Sequence, residues 1–161
     1  MISLGVLCRL HDRLNDGLFA GRLGRPYVDP VCGYCPPAVL LCYGDLTAAG
    51  ALACYEGKYT HTERLMLGER IIFDRAFLLD IAAQRGAAAV ERLTAVMLHE
   101  MIHQHLHETD RGHEMGSDNH GALFVKEGRA HGYEYGPAEG GPQGLLPAAR
   151  RVVAGFVLAD D

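Results

Sequence analysis

The feature that most constrains the fold of this chain is a long apolar helix pattern near its middle. Helix formers dominate the sequence from Ala87 to Glu108, and apolar residues occupy most of the helix circumference: Leu93, Val96, Met97, Leu98, Met101, Ile102 and Leu106. A helix that is apolar nearly all round is a buried one, so other elements must surround it. With 161 residues and 48% hydrophobic content, the chain is long enough for one domain with such a core.

The same helix contains the stretch LHEMIHQHLHE, in which four histidines fall within nine positions. His99 and His103 are four residues apart, so both imidazoles project from one face and can reach one metal ion. Glu100 is placed beside them as a general base for a metal-bound water. This His-Glu-x-x-His motif has roughly a 3% chance of arising at random in a chain of this composition, so the sequence predicts a metal site.

A catalytic metal of this kind needs a third protein ligand and one open position. His120 begins a predicted second helix over 120–131, and Phe124, one turn further on, can anchor that helix against the first. A rigid helix holds a ligand at a fixed angle, whereas His113 lies in a glycine-flanked loop. We therefore favour His120, with His113 and the acid Glu127 as alternatives.

The other histidines are interpreted as bystanders. His107 continues the row of His99 and His103, but it lies ~12 Å along the axis from His99, too far to share one ion. His105 points to the opposite side of the helix. Surface or packing roles are also expected for three histidines that have no motif around them: His11, His61 and His131.

Short apolar segments before the long helix predict a small sheet. Turn residues separate three candidate strands, and we expect them to be mostly antiparallel: AVLLCY (38–43), ALACYE (51–56) and RIIFD (70–74). An amphipathic helix is predicted over Cys8–Phe19, and a short helix, AFLLDIAAQ, ends before Gly86. The predicted class is therefore α+β, in a single domain with a three-stranded sheet.

After Tyr135 the composition changes to GPAEGGPQG, which is typical of a linker. We predict a domain over 1–136, and over 137–161 a Gly/Pro linker with a short C-terminal tail. The tail either docks on the domain as a helix or strand or stays mobile.

The composition argues against two classes of protein. The net charge is −5, with two lysines against thirteen arginines and no basic run beyond Arg150–Arg151, which does not suit a dedicated nucleic-acid binder. No apolar run approaches the ~20 residues of a membrane span, and the N-terminus lacks signal-peptide features. Five loosely spaced cysteines suit reduced thiols, so a cytoplasmic location is expected.

Two further groups carry weaker signals. A four-thiolate metal site is conceivable, but free thiols are favoured because the second pair lacks the CxxC spacing: Cys32, Cys35, Cys42 and Cys54. Tyr133 and Tyr135 follow the second helix, where a tyrosine near a metal can stabilise an oxyanion, although packing roles are favoured for both.

The stretch VMLHEMIHQHLHETDRGHEMGSDNHGALF resembles the active-site region of the SprT-like metalloproteases, the family that includes Spartan. That family combines HExxH with a third histidine in an H-G-x-x-F context, which corresponds here to His120–Phe124. Weaker similarity extends upstream, through LNDGLFAGRLGRPYV, GALACYEGKY and ERIIFDRAFL, so the resemblance covers about residues 10 to 132.

The resemblance implies a zincin-like domain in which His99, His103 and His120 bind Zn²⁺ and Glu100 is the base. It implies a metalloendopeptidase acting on protein or peptide substrates that lie along an edge strand. It also suggests DNA–protein crosslinks as substrates, DNA as an activator and nucleoid or nuclear association. Many relatives carry a C-terminal zinc ribbon, whereas this sequence has no cysteine after Cys54, so recruitment to DNA is not supported by the sequence.

Two other functions remain open at the level of sequence. One is a zinc-binding regulatory or adaptor module with the same fold and no turnover. Glu100 argues against this module, because a binding protein does not need a base at that position. The other is a zinc hydrolase that acts on something other than protein.

Overall fold

The computed structural model of the chain describes residues 1–27, 38–61, 66–111, 120–135 and 142–159. The chain is α+β, as predicted, with five helices and a small mixed sheet. The elements are, in order, α1 (Leu4–Leu18), β1 (Arg25–Tyr27), β2 (Ala38–Gly44), β3 (Ala53–His61), β4 (Met66–Asp74), α2 (Arg75–Gln84), α3 (Gly86–Glu108), α4 (Ala122–Ala130), β5 (Tyr133–Tyr135), β6 (Pro142–Leu145) and α5 (Pro147–Val153).

The prediction of a three-stranded, mostly antiparallel sheet is wrong. The main sheet has four strands in the order β1-β2-β4-β3, and only the β3–β4 pair is antiparallel. Strands β3 and β4 follow each other as an antiparallel pair with β3 at the edge, so β4 lies beside β2 and runs parallel to it. Buried Val39, Leu40 and Leu41 give β2 the continuous apolar run that is typical of a parallel strand.

Helix α3 lies at the centre of the molecule, as its apolar circumference predicts. The other four helices and strands β3, β5 and β6 all contact it. Its large apolar side chains are fully buried at six positions: Leu93, Met97, Leu98, Met101, Ile102 and Leu106. The helix begins at Gly86, whose φ of 74° lets the chain turn sharply out of α2. No helix in the described parts of the chain is long and apolar enough to cross a membrane.

The C-terminal segment docks on the rest of the molecule. Strand β6 pairs antiparallel with β5, and Leu145, Ala149 and Val153 are buried in the core. Helix α5 lies against α1 at Gly17, where a Cβ atom would stand 2.7 Å from Val152 Cγ2. Because glycine has no Cβ, the two helices approach closely.

A buried polar pair joins α1 to α3. His11 is fully buried, and its Nε2 lies 2.9 Å from Gln104 Oε1. Gln104 Nε2 donates in turn to the Gly24 carbonyl (3.1 Å) and to Glu108 Oε1 (2.7 Å). Because Oε1 can only accept a hydrogen bond, His11 Nε2 is the donor in this pair. Burial lowers the pKa of His11 from 6.5 to about 4.

Acid is therefore expected to destabilise the protein through His11. Between pH 6.5 and about 4 the unfolded chain binds a proton at His11 and the folded chain does not. The free energy of unfolding should thus be unaffected by this group above pH 6.5 and fall by about 3 kcal/mol as the pH drops to 4. Urea unfolding of the metal-free protein at pH 7.5 and 4.5 measures the loss.

The control for this prediction is His11→Gln, which can still donate a hydrogen bond to Gln104 but cannot titrate. The low pKa values of His99 and His103 act equally in both proteins, so the difference between the two pH dependences isolates His11. Equal pH dependences in the two proteins would contradict the prediction.

Candidate metal centre

Three imidazoles converge at one point beside α3. His99 and His103 lie one turn apart on that helix, and His120 lies just before Gly121, the N-cap of α4. His120 Nε2 is 3.0 Å from His99 Nε2 and 3.1 Å from His103 Nε2. The ligand atoms all lie within 4.8 Å of one another and could hold a metal ion. Helix α4 begins at Ala122, two residues later than the helix predicted over 120–131.

Tyr133 orients one of these imidazoles from behind. Its hydroxyl lies 3.0 Å from His99 Nδ1, and the side chain is fully buried. Burial raises the pKa of the Tyr133 phenol above its usual value, so the hydroxyl stays protonated. When Nδ1–H donates to this oxygen, the Nε2 lone pair faces the centre, as a metal ligand requires. Packing alone, the role favoured from the sequence, therefore does not describe Tyr133 fully.

Phe124 packs against all three imidazoles. Its ring centroid lies 4.8 Å from that of His99, 4.6 Å from that of His103 and 4.9 Å from that of His120. The side chain is fully buried, because α4 presses it against α3. The position of His120 relative to the other two histidines thus depends on the packing of this one ring.

Two tyrosines flank the centre. The Tyr135 ring stacks on His120 with centroids 5.1 Å apart and planes 30° apart. The Tyr55 ring lies nearly parallel to His103 at 6.5 Å. Tyr135 is half-buried and Tyr55 belongs to the edge strand β3, so these rings line the approach to the three imidazoles.

The surroundings keep two of the imidazoles neutral. Burial is the main cause that lowers the pKa of His99 to about 3, and the neighbouring His103 and His120 lower it further. Burial also lowers the pKa of His103 to about 4, with His120 adding to the effect. Both side chains therefore present lone pairs at neutral pH, which is the state in which imidazole binds a metal.

Glu100 is buried beside the metal ligands. The residue is 5% exposed, and burial raises the pKa of its carboxyl to about 8, against a hydrogen bond from the Tyr55 backbone that lowers it. This hydrogen bond ties the carboxyl to the edge strand β3. A pKa of about 8 leaves this carboxyl mostly protonated at neutral pH in the metal-free protein. The positive charge of a metal ion bound beside it would lower this pKa and favour the carboxylate form that a general base needs.

The other histidines occupy different surroundings. His107 Nε2 lies 3.6 Å from Glu69 Oε1, outside the group of three. His11 forms the buried pair with Gln104. His105 and His131 lie together with Glu127, so Glu127 does not join the first centre. Sequence reasoning missed this second group because it joins side chains from α3 and α4 that lie 22 to 26 positions apart.

Some of the candidate ligands and bystander residues named from the sequence lie outside the described residues. These are His113, Cys32, Cys35 and the side chain of His61. Cys42 and Cys54 are free, half-buried cysteines, and burial raises the pKa of both thiols. Both therefore stay protonated at neutral pH when no metal is bound.

No family model, no curated protein and no solved structure matches the chain.

Proposed function

We propose that the chain is a zinc-dependent metalloendopeptidase of the SprT-like type. In this proposal His99, His103 and His120 hold Zn²⁺, and Glu100 is the general base. The observation that carries it is the convergence of three Nε2 atoms beside the buried carboxyl group of Glu100. The Nε2 atoms of His99 and His103 lie 3.0 and 3.1 Å from that of His120.

The donor set suits zinc in its catalytic form. Bonds of ~2.0–2.1 Å in a tetrahedral site place ligand nitrogens ~3.3–3.4 Å apart. The two distances from His120 Nε2 are a few tenths of an ångström shorter, so small side-chain movements accommodate the ion. Three imidazole ligands leave the fourth position free, which distinguishes a catalytic site from a closed structural one.

The residues of the chain divide the work of peptide hydrolysis. When bound, Zn²⁺ supplies a Lewis acid that polarises the scissile carbonyl and lowers the pKa of water. Glu100 takes the proton from the attacking water and passes it to the leaving amine. Tyr133 holds His99 in orientation through Nδ1, and Phe124 holds the three imidazoles together.

Strand β3 is the surface to which we assign the substrate. It ends the sheet order, so its outer edge can pair with an extended peptide, and it contacts α3 directly. Its residue Tyr55 contributes the ring beside His103 and the backbone hydrogen bond to Glu100. A peptide on this edge would therefore lie close to the base. Flexible protein segments are the substrate class, and DNA-linked proteins are the class that the family resemblance adds.

Removal of the metal tests this proposal. Protein stripped with a chelator should not cleave an unfolded protein such as reduced casein, and added Zn²⁺ should restore cleavage. His103→Ala should stay inactive at the same zinc concentration because one ligand is lost. The assay is run with and without single-stranded DNA, and faster cleavage with DNA would identify it as an activator.

His107→Ala is the matched control, because it removes another histidine of the same helix that lies outside the centre. It should cleave like the unchanged protein. If the unchanged protein binds zinc at this centre but cleaves nothing, with or without DNA, the endopeptidase proposal fails and the adaptor function replaces it.

A further inference from the structure

A second group of metal-ligating side chains lies at the other end of the α3–α4 interface. His105 comes from α3, Glu127 comes from α4, and His131 is the C-cap residue of α4. One ligand atom from each lies within 4.8 Å of the other two. None of the three belongs to the first centre, and none has a role in the proposed peptide hydrolysis.

The geometry repeats that of the first centre. Glu127 and His131 are four residues apart, as His99 and His103 are, and the third member reaches across from the facing helix. His105 Nε2 lies 3.6 Å from Glu127 Oε2, close to the ~3.3–3.4 Å that separates two ligands of a tetrahedral zinc ion. The carboxylate and the imidazole therefore already stand at coordination distance from a shared point.

One imidazole is held in the tautomer that a metal needs. His131 Nδ1 lies 2.9 Å from the Glu127 carbonyl oxygen, which can only accept, so Nδ1 carries the proton. The lone pair then resides on Nε2, the nitrogen that remains for coordination. The Phe19 ring stacks on His131 at 4.3 Å and fixes its plane.

The group is sheltered from solvent. His131 is 8% exposed, and the side chains of His105 and Glu127 are 13% and 12% exposed. Arg111 Nη1 binds Glu127 Oε1 at 2.8 Å, which leaves the other carboxylate oxygen directed towards His105. Arg111 thus orients the carboxylate while one oxygen remains for a cation, as a hydrogen-bonded metal ligand is oriented.

We propose that His105, Glu127 and His131 form a second site for a divalent transition metal of the zinc class. Two imidazoles and one carboxylate are a donor set that zinc accepts, with water completing the coordination. A metal here would clamp the C-terminal end of α4 to α3, while the first centre joins the N-terminal side of α4 to the same helix. The role is structural and does not depend on the proposed peptidase activity.

The test counts bound zinc in protein from which the first centre has been removed. His99→Ala/His103→Ala protein, stripped of metal and titrated with Zn²⁺ by calorimetry, should still bind about one equivalent. Adding Glu127→Gln or His105→Ala to this background should abolish that equivalent. Adding His107→Ala should leave it, since His107 lies outside the group. Circular dichroism confirms that each variant is folded.

Crystals of the unchanged protein soaked in Zn²⁺ give a measurement that does not rely on variants. Anomalous scattering at the zinc edge should show a peak among these three residues in addition to the one beside His99. Failure of the background variant to bind zinc, together with a missing second peak, overturns the proposal. If only cleavage or only the peak beside His99 is missing, the proposed second site is not contradicted. The second site and the peptidase function can therefore be disproved independently.

Discussion

Exchanging Glu100 for Gln is expected to abolish cleavage of an unfolded protein while zinc stays bound at the first centre. The amide keeps the size of the carboxyl and can accept the Tyr55 backbone hydrogen bond, but it cannot take a proton from water. General-base catalysis contributes about 10²–10⁴-fold, so kcat should fall by at least that factor. Zinc content is measured on the same preparation by mass spectrometry.

Glu91→Gln supplies the control for this change. Glu91 lies on the same helix but is half-exposed and pairs with Arg150, so its neutralisation should not alter kcat. The expected result is an inactive Glu100→Gln and a fully active Glu91→Gln, both with unchanged zinc. An active Glu100→Gln would remove Glu100 from the mechanism, and loss of zinc together with activity would make it a structural residue instead.

The positions of His99, Glu100 and His103 could be predicted because a helix encodes its faces locally. Residues four apart share a face in any α-helix, and the apolar circumference identifies the helix as a buried one. The placement of His120 needed one more step, the argument that a helix start holds a ligand more firmly than a loop. The structure places it beside His99 and His103.

The sheet was harder to predict because strand direction is not a local property. The apolar run in β2 is typical of a parallel strand, but it does not show which strand lies beside β2, and that outcome depends on β3 taking the edge. Strand β1 has only three residues, Arg25–Tyr27, too few to show an alternating pattern. The number and directions of the strands therefore had to come from the structure.

Contacts between distant segments were also hidden in the sequence. Tyr133 meets His99 across 34 positions, and His105 meets His131 across the α3–α4 interface. In the sequence, Tyr133, His105 and His131 resemble ordinary packing residues, so only the folded chain shows which side chains they contact. The docking of α5 on α1 could not be predicted either, because the Gly/Pro-rich segment before α5 does not show whether the tail packs on the domain.

Replacing Phe124 by alanine is expected to weaken both the fold and the metal centre. The side chain is fully buried, and removal of such a phenylalanine costs about 3–5 kcal/mol of unfolding free energy. Its ring also separates α4 from α3 at the three imidazoles, so the cavity lets His120 move relative to His99 and His103. Zinc affinity should fall by about 10–100-fold, the loss typical when groups that orient ligands are removed.

Phe77→Ala separates the two effects. Phe77 is buried on α2, where the Arg92 guanidinium lies over its ring, away from the three imidazoles. Its removal should cost a similar free energy of unfolding, measured in urea on metal-free protein, and leave zinc affinity unchanged in a chelator competition. If both variants lowered affinity equally, the effect would follow general destabilisation. If only Phe124→Ala lowers zinc affinity, the Phe124 ring is what aligns His120 with His99 and His103. Metal binding then depends on the packing of α4 against α3.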